Sequence, residues 1–75
     1  KPAGLTFKER RELEELPARI EALEEEQKQR HDAMADPAYY RHSPDRIAQD
    51  HARLTALEEE LATAYQRWEE LEQKR

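Results

Sequence analysis

The chain has 75 residues, 41% of them charged and 36% hydrophobic, with one Gly, no Cys and a net charge of −5. That length allows one small domain with a limited core. The missing cysteines exclude disulfides and thiolate metal sites, no apolar run approaches the ~20 residues of a membrane span, and the acidic balance argues against a generic nucleic-acid binder.

Heavy use of Ala, Glu, Leu, Arg and Gln points to long helices or a coiled coil. Disorder is the rival reading for so charged a chain, and the periodic Leu and Ile positions decide against it. A start at Lys1 rather than Met leads to the expectation of a piece of a longer protein. The absent thiols fit a reducing cytoplasm. Charge is unevenly spread. Gln27 to Arg53 holds five Lys or Arg, four Asp and all three histidines, whereas the remainder has eight basic against fourteen acidic residues.

In chain order, residues 1–5 read as the end of a linker. Thr6-Phe7-Lys8-Glu9 matches a capping box, with Leu5 as half of a hydrophobic staple. Pro17 lacks an amide proton and disfavours helical geometry at Leu16. The economical solution is a short helix over 6–15, a bend, and a new helix over 17–35 with Pro17 at its first position. A continuous kinked helix is the second choice. Leu13, Leu16, Ile20, Leu23, Gln27, Arg30 and Met34 then recur at spacings of three and four.

Asp36-Pro37 stops that helix, and Asp36 can cap a short 3₁₀ turn over Pro37 to Tyr40. Ser43-Pro44-Asp45 restarts with an N-cap, Pro at N1 and an acid in the first turn. A second seam follows over 44–74: Ile47, Asp50, Leu54, Leu57, Leu61, Ala64, Trp68 and Leu71. Two heptad helices joined by a short tip over 36–43 pack antiparallel. Folding the chain there sets Met34 opposite Ile47, Gln27 opposite Leu54, Leu23 opposite Leu57 or Glu58, Ile20 opposite Leu61 and Leu13 near Trp68. The fold class expected is all-α: a monomeric antiparallel two-helix coiled-coil hairpin, with a short helix before Pro17 and a 3₁₀ turn at its tip. Arg30 falls opposite Asp50 or His51, a polar layer that would set register.

No catalytic constellation is present. Gly4 stands alone, so no phosphate-cradling loop exists, and Glu24-Glu25-Glu26 and Glu58-Glu59-Glu60 read as solvated faces. His31 and His51 with Asp50 could suggest zinc, but four well-placed ligands are needed and exposed histidines are the ordinary reading. Imidazole titration in mild acid would make the tip more positive. Tyr39, Tyr40, Arg41 and His42 form the most suggestive cluster. Aromatic rings beside cations at the end of an arm can stack on bases, while Lys28, Arg41, Arg46 and Arg53 meet phosphates. The structural alternative has one tyrosine sealing the core near Met34 and Ile47. At the other end Tyr65 and Trp68 read as core, covering Leu13, Leu16, Pro17 and Phe7. Lys8, Arg10, Arg11, Lys74 and Arg75 make a weaker basic patch there.

Three strings carry a family resemblance: Glu15-Leu16-Pro17-Ala18-Arg19-Ile20-Glu21-Ala22-Leu23-Glu24, Ala35-Asp36-Pro37-Ala38-Tyr39-Tyr40, and Tyr65-Gln66-Arg67-Trp68-Glu69-Glu70-Leu71-Glu72. With Leu5 to Glu9, they make the chain resemble the C-terminal coiled-coil domain of ABC-F ATPases, most closely the Uup branch. The resemblance implies a bacterial cytoplasmic parent with two ATP-binding cassettes upstream, so that ATP and Mg belong to the parent and this region holds no cofactor. It also implies work on the ribosome and in translation, and a C-terminal arm that contacts nucleic acid, DNA or ribosomal RNA. Members often carry apolar residues where Gln27 and Arg30 stand here, so looser packing near the tip is expected. The functional expectation is a non-catalytic arm contacting nucleic acid through Lys28, Tyr39, Tyr40, Arg41, His42, Arg46 and Arg53, largely without sequence specificity. The rival is a spacer or protein-interaction coiled coil acting through its acidic faces.

Overall fold

A computed structural model describes residues 4–75; the linker reading of Lys1, Pro2 and Ala3 lies outside them. Helix α1 spans Phe7–Ala35, a 3₁₀ turn spans Pro37–Arg41 and helix α2 spans Pro44–Lys74. The hairpin is a rod of 60 × 16 × 15 Å.

Each boundary has a local cause. Thr6 Oγ1 accepts from the Glu9 amide at 3.1 Å while Glu9 accepts from the Thr6 amide at 3.1 Å, completing the capping box. The Ala38 amide donates to Asp36 Oδ1 at 2.9 Å, which starts the 3₁₀ turn. The Arg46 amide donates to Ser43 Oγ at 3.2 Å, and Pro44 takes the first helical position, where its missing donor costs nothing.

The core is the expected double seam. Leu13, Leu16, Ile20 and Leu23 of α1 are buried against Leu54, Leu57, Leu61, Ala64 and Leu71 of α2, with Leu5 and Met34 packed on the margins. Leu57 and Leu71 are fully enclosed. Near the tip the seam residues Gln27, Arg30, Met34, Ile47 and Asp50 are only half-buried. The looser packing expected of Gln27 and Arg30 is therefore present.

Two expectations need correction. First, α1 does not break at Pro17 but runs through it. Pro17 is exposed, so its ring meets solvent. Continuity costs about 3 kcal/mol. A break would turn Leu13 away from a seam in which each buried Leu or Ile contributes roughly 1.5–3 kcal/mol. Packing on both sides of Pro17 outweighs the lost hydrogen bond.

Second, the aromatic residues at the open end are not core. Phe7 is 75% exposed and Tyr65 46%. The Tyr65 hydroxyl reaches across to donate to Glu24. Trp68 borders a surface depression together with Leu13 and Pro17 and keeps 38% of its surface exposed. Leu71, rather than Trp68, fills the last interior position. A two-helix rod has too narrow an interior for an indole, so the smaller Leu goes in and Trp68 drapes over the flank.

Leu57→Ala is expected to cost about 2–5 kcal/mol, enough to unfold much of so small a core; a thermal melt matching the parent chain would refute the seam. Pro17→Ala restores a helix donor at an exposed site and should stabilise by about 1–3 kcal/mol. A melting temperature that failed to rise would mean the ring makes a contact that outweighs its backbone defect.

Candidate nucleic-acid interface

The 3₁₀ turn divides its aromatic residues between inside and outside. Three residues per turn bring Tyr39 over the end of the helix pair, while Tyr40 points away. Tyr39 is 5% exposed and Tyr40 64%. Their rings meet edge to face, with centroids 5.4 Å apart and planes at 86°; the His42 ring packs on Tyr39 in the same manner at 5.4 Å and 73°. One tyrosine seals the end of the core, as the structural alternative required, and it is no longer a free stacking surface.

Asp50 organises this end. The Tyr39 hydroxyl donates to its Oδ2 at 2.6 Å, Arg46 Nε donates to Oδ2 at 3.2 Å and Arg30 Nη1 donates to Oδ1 at 3.3 Å. The polar layer expected of Arg30 is therefore made with Asp50 rather than His51. These donors, Tyr39 first, hold the Asp50 carboxyl below its usual range. Burial and the same hydrogen bond push the Tyr39 phenol up.

Farther along, Arg53 clamps the hairpin. Its Nε and Nη2 donate to the two oxygens of Glu26 at 2.9 and 2.8 Å, and Nη1 donates to Glu60 at 3.1 Å. Arg30 Nε also donates to Glu26 at 2.9 Å. With Arg53 the larger influence and Arg30 the second, the Glu26 carboxyl is lowered to about 2. Arg67 repeats the arrangement near the open end, donating to both oxygens of Glu12 at 2.8 and 3.0 Å, and Lys74 pairs with Glu9.

The expected contact residues are thus differently placed. Arg53 is a structural clamp, and Arg46 is directed to Asp50 although 57% of its side chain is exposed. Lys28 makes an exposed helical pair with Asp32 at 2.8 Å. Tyr40, Arg41 and His42 stand at the apex, and Arg41 has no ion pair among the described residues. Sequence reasoning assigned Arg53 to phosphates. The fold-back register that pairs Leu23 with Leu57 also puts Glu26 beside Arg53, so the clamp could have been found from that register.

Among the described residues no group of three or more His, Asp or Glu side chains could hold a metal ion, and no helix is long and apolar enough to cross a membrane. His31 and His51 do share one shallow depression, but without a third ligand.

Fewer than three carboxylates define how this end responds to acid. Glu26 and Asp50 have folded-state affinities for protons below those of free carboxylates, so both contribute at neutral pH and lose that contribution on acidification, Glu26 as pH falls from about 4.5 toward about 2. The melting temperature is expected to fall across that window and to fall less in Glu26→Gln. A Glu26→Gln chain with an unchanged acid profile would show that the Arg53 clamp contributes nothing.

Comparison with known proteins places this geometry. The family described as ABC transporter C-terminal domain matches residues 4–73. Two Haemophilus influenzae proteins, "ATP-binding protein Uup-like" and "ATP-binding protein Uup", are each 41% identical over 75 residues, all of this chain. The chain spans only 16% and 12% of their respective lengths. The Escherichia coli "ATP-binding protein Uup" is 35% identical over 68 residues, 91% of this chain and 11% of that protein. A solved structure described as the C-terminal domain of the Uup protein, a DNA-binding coiled coil motif, aligns with a TM-score of 0.85 at 33% identity. That alignment covers 96% of this chain and 85% of the other. Matched by the family over residues 4–73 and, along its whole length, by a relative 41% identical, the chain belongs to the ABC transporter C-terminal domain family and is a coiled-coil domain of the Uup type.

Proposed function

We propose that this hairpin is a non-catalytic arm that brings an ATP-binding parent protein onto nucleic acid, DNA first, through its tip and largely without reading sequence. The observation that carries this reading is the apex itself: Tyr40, Arg41 and His42 stand outward at the end of a 60 Å rod. The DNA binding ascribed to the 33% identical Uup domain supports it. ATP and Mg would be handled by cassettes of the parent in the cytoplasm, and the arm would act as a monomer. Ribosomal RNA offers the same phosphate chemistry and is the corresponding ligand if the parent works on ribosomes.

Electrostatics dictates how the arm would approach. Gln27 to Arg53 has five cations against four acids, while the rest of the chain has fourteen acids against eight cations. A polyanion is repelled by the shaft and tolerated at the tip, so contact is end-on. Arg41 is available without cost. Lys28 can exchange the exposed Asp32 carboxylate for a phosphate, which is nearly neutral because surface pairs contribute little, whereas Arg46, itself 57% exposed, would have to share its hold on the more enclosed Asp50. Arg53 is excluded, since its release would open the clamp. A second reading, a protein-docking coiled coil, draws on the groove between the helices edged by Glu15 and Glu59.

Titrating the 75-residue chain with duplex and single-stranded DNA tests the proposal. With about three or four phosphates engaged, raising salt from about 50 to 200 mM should weaken binding roughly 40- to 150-fold. Arg41→Glu with Lys28→Glu should weaken binding to both forms and flatten the salt dependence by about one slope unit per lost contact. Binding indifferent to both changes, or no binding at low salt, refutes a tip interface. Loss of partner-protein capture on changing Glu25 and Glu59 to Lys, with DNA binding absent, would favour the second reading.

A further inference from the structure

Around the tip, the two sides of the hairpin differ in chemistry. One side carries the Arg30–Asp50–Arg46 and Arg53–Glu26 network, where every guanidinium faces a carboxylate. The other side has a shallow depression between the helices. Met34 and Leu54 form its apolar base, His31 stands on α1, His51 on α2, and Tyr40 lies at the apex end. Thr55 and Glu58 complete the rim, and the Thr55 hydroxyl is occupied, donating to the His51 carbonyl at 3.2 Å.

We infer that this depression is a subsite for one unpaired nucleobase, which stacks on Tyr40 and is flanked by the imidazoles of His31 and His51. The inference rests on the proposed nucleic-acid role and adds a ligand form: a base free of its duplex partner.

Three features fit that occupant. The Tyr40 ring is 64% exposed yet held in place, because its edge-to-face partner Tyr39 is buried and latched to Asp50. A prepositioned ring loses little entropy on stacking, and such stacking contributes about 1–3 kcal/mol per base. The base of the depression is apolar, which suits a flat heteroaromatic ring better than a phosphate. The rim offers imidazole nitrogens, which can donate to or accept from base edges, and the Glu58 carboxylate, which accepts, and no ion pair among the described residues involves either imidazole. Arg41, next in the chain after Tyr40, would meet the adjoining phosphate. A base inside a duplex cannot enter, because its faces are covered by neighbouring base pairs and its edge by its partner. Metal is the competing occupant of a histidine pair, but no group of three ligating side chains exists among the described residues.

The test compares binding of the 75-residue chain to two DNA duplexes, one fully paired and one with a single bulged 2-aminopurine. The expected result is about five- to tenfold tighter binding to the bulged duplex, with the fluorescence of the bulged base quenched on binding. Tyr40→Ala should bring the ratio of affinities for the bulged and paired duplexes to one without changing the thermal melt, and Tyr40→Trp should keep both preference and quenching. Equal binding of the two duplexes by the parent chain, or a preference that persists in Tyr40→Ala, overturns the subsite. If paired-duplex binding still responds to Arg41→Glu in that case, the tip interface survives and only the base subsite is lost. Failure to bind either duplex overturns both.

Discussion

A pair of helices can bury only one stripe of each, and that constraint governs the molecule. Leu13, Leu16, Ile20 and Leu23 meet Leu54, Leu57, Leu61 and Ala64 because, among the described residues, the facing helix is what covers them. The demand is strong enough to carry α1 through Pro17 without a break. It also leaves no interior room for Trp68 or Tyr65, which lie on the flanks. With so little apolar area, Tyr39 at the tip and Leu71 at the open end are supplemented by ion pairs that tie the two helices together. Arg67 grips Glu12 near the open end, and Arg53 grips Glu26 below the tip.

The division of labour among cations follows from that closure. Arginines at the margins of the seam are oriented by carboxylates of the facing helix, where a planar guanidinium can engage both oxygens at once. Cations free for a ligand must therefore lie off the seam, at the apex or on the outer faces. Arg41 meets this condition and Arg53 does not. The aromatic pair follows the same logic. The inward Tyr39 satisfies its hydroxyl on Asp50, which fixes the 3₁₀ turn and so fixes where Tyr40 is presented. Stability and presentation at the tip are thus coupled through a single carboxylate.

The hairpin, its register and its tip were legible in the amino-acid order because they depend on local chemistry and on periodicity. Thr6 with Glu9, Asp36 before Pro37, and Ser43 before Pro44 are capping and stopping signals that act within a few residues, and the seam spacing defines the buried stripe wherever it lies. The resemblance to ABC-F C-terminal domains rested on the same strings and agrees with the family match over residues 4–73. What the order of residues left open was decided across space. The continuity of α1 depends on packing against α2, thirty or more residues away, which outweighs the local preference of proline. The roles of Arg53 and Tyr39 depend on Glu26 and Asp50 on the facing or following helix, and the exposure of Trp68 depends on the width of a two-helix interior. Local rules determine where helices begin and end; which side chains remain free to meet a ligand is settled only when the two helices come together and their charges choose partners.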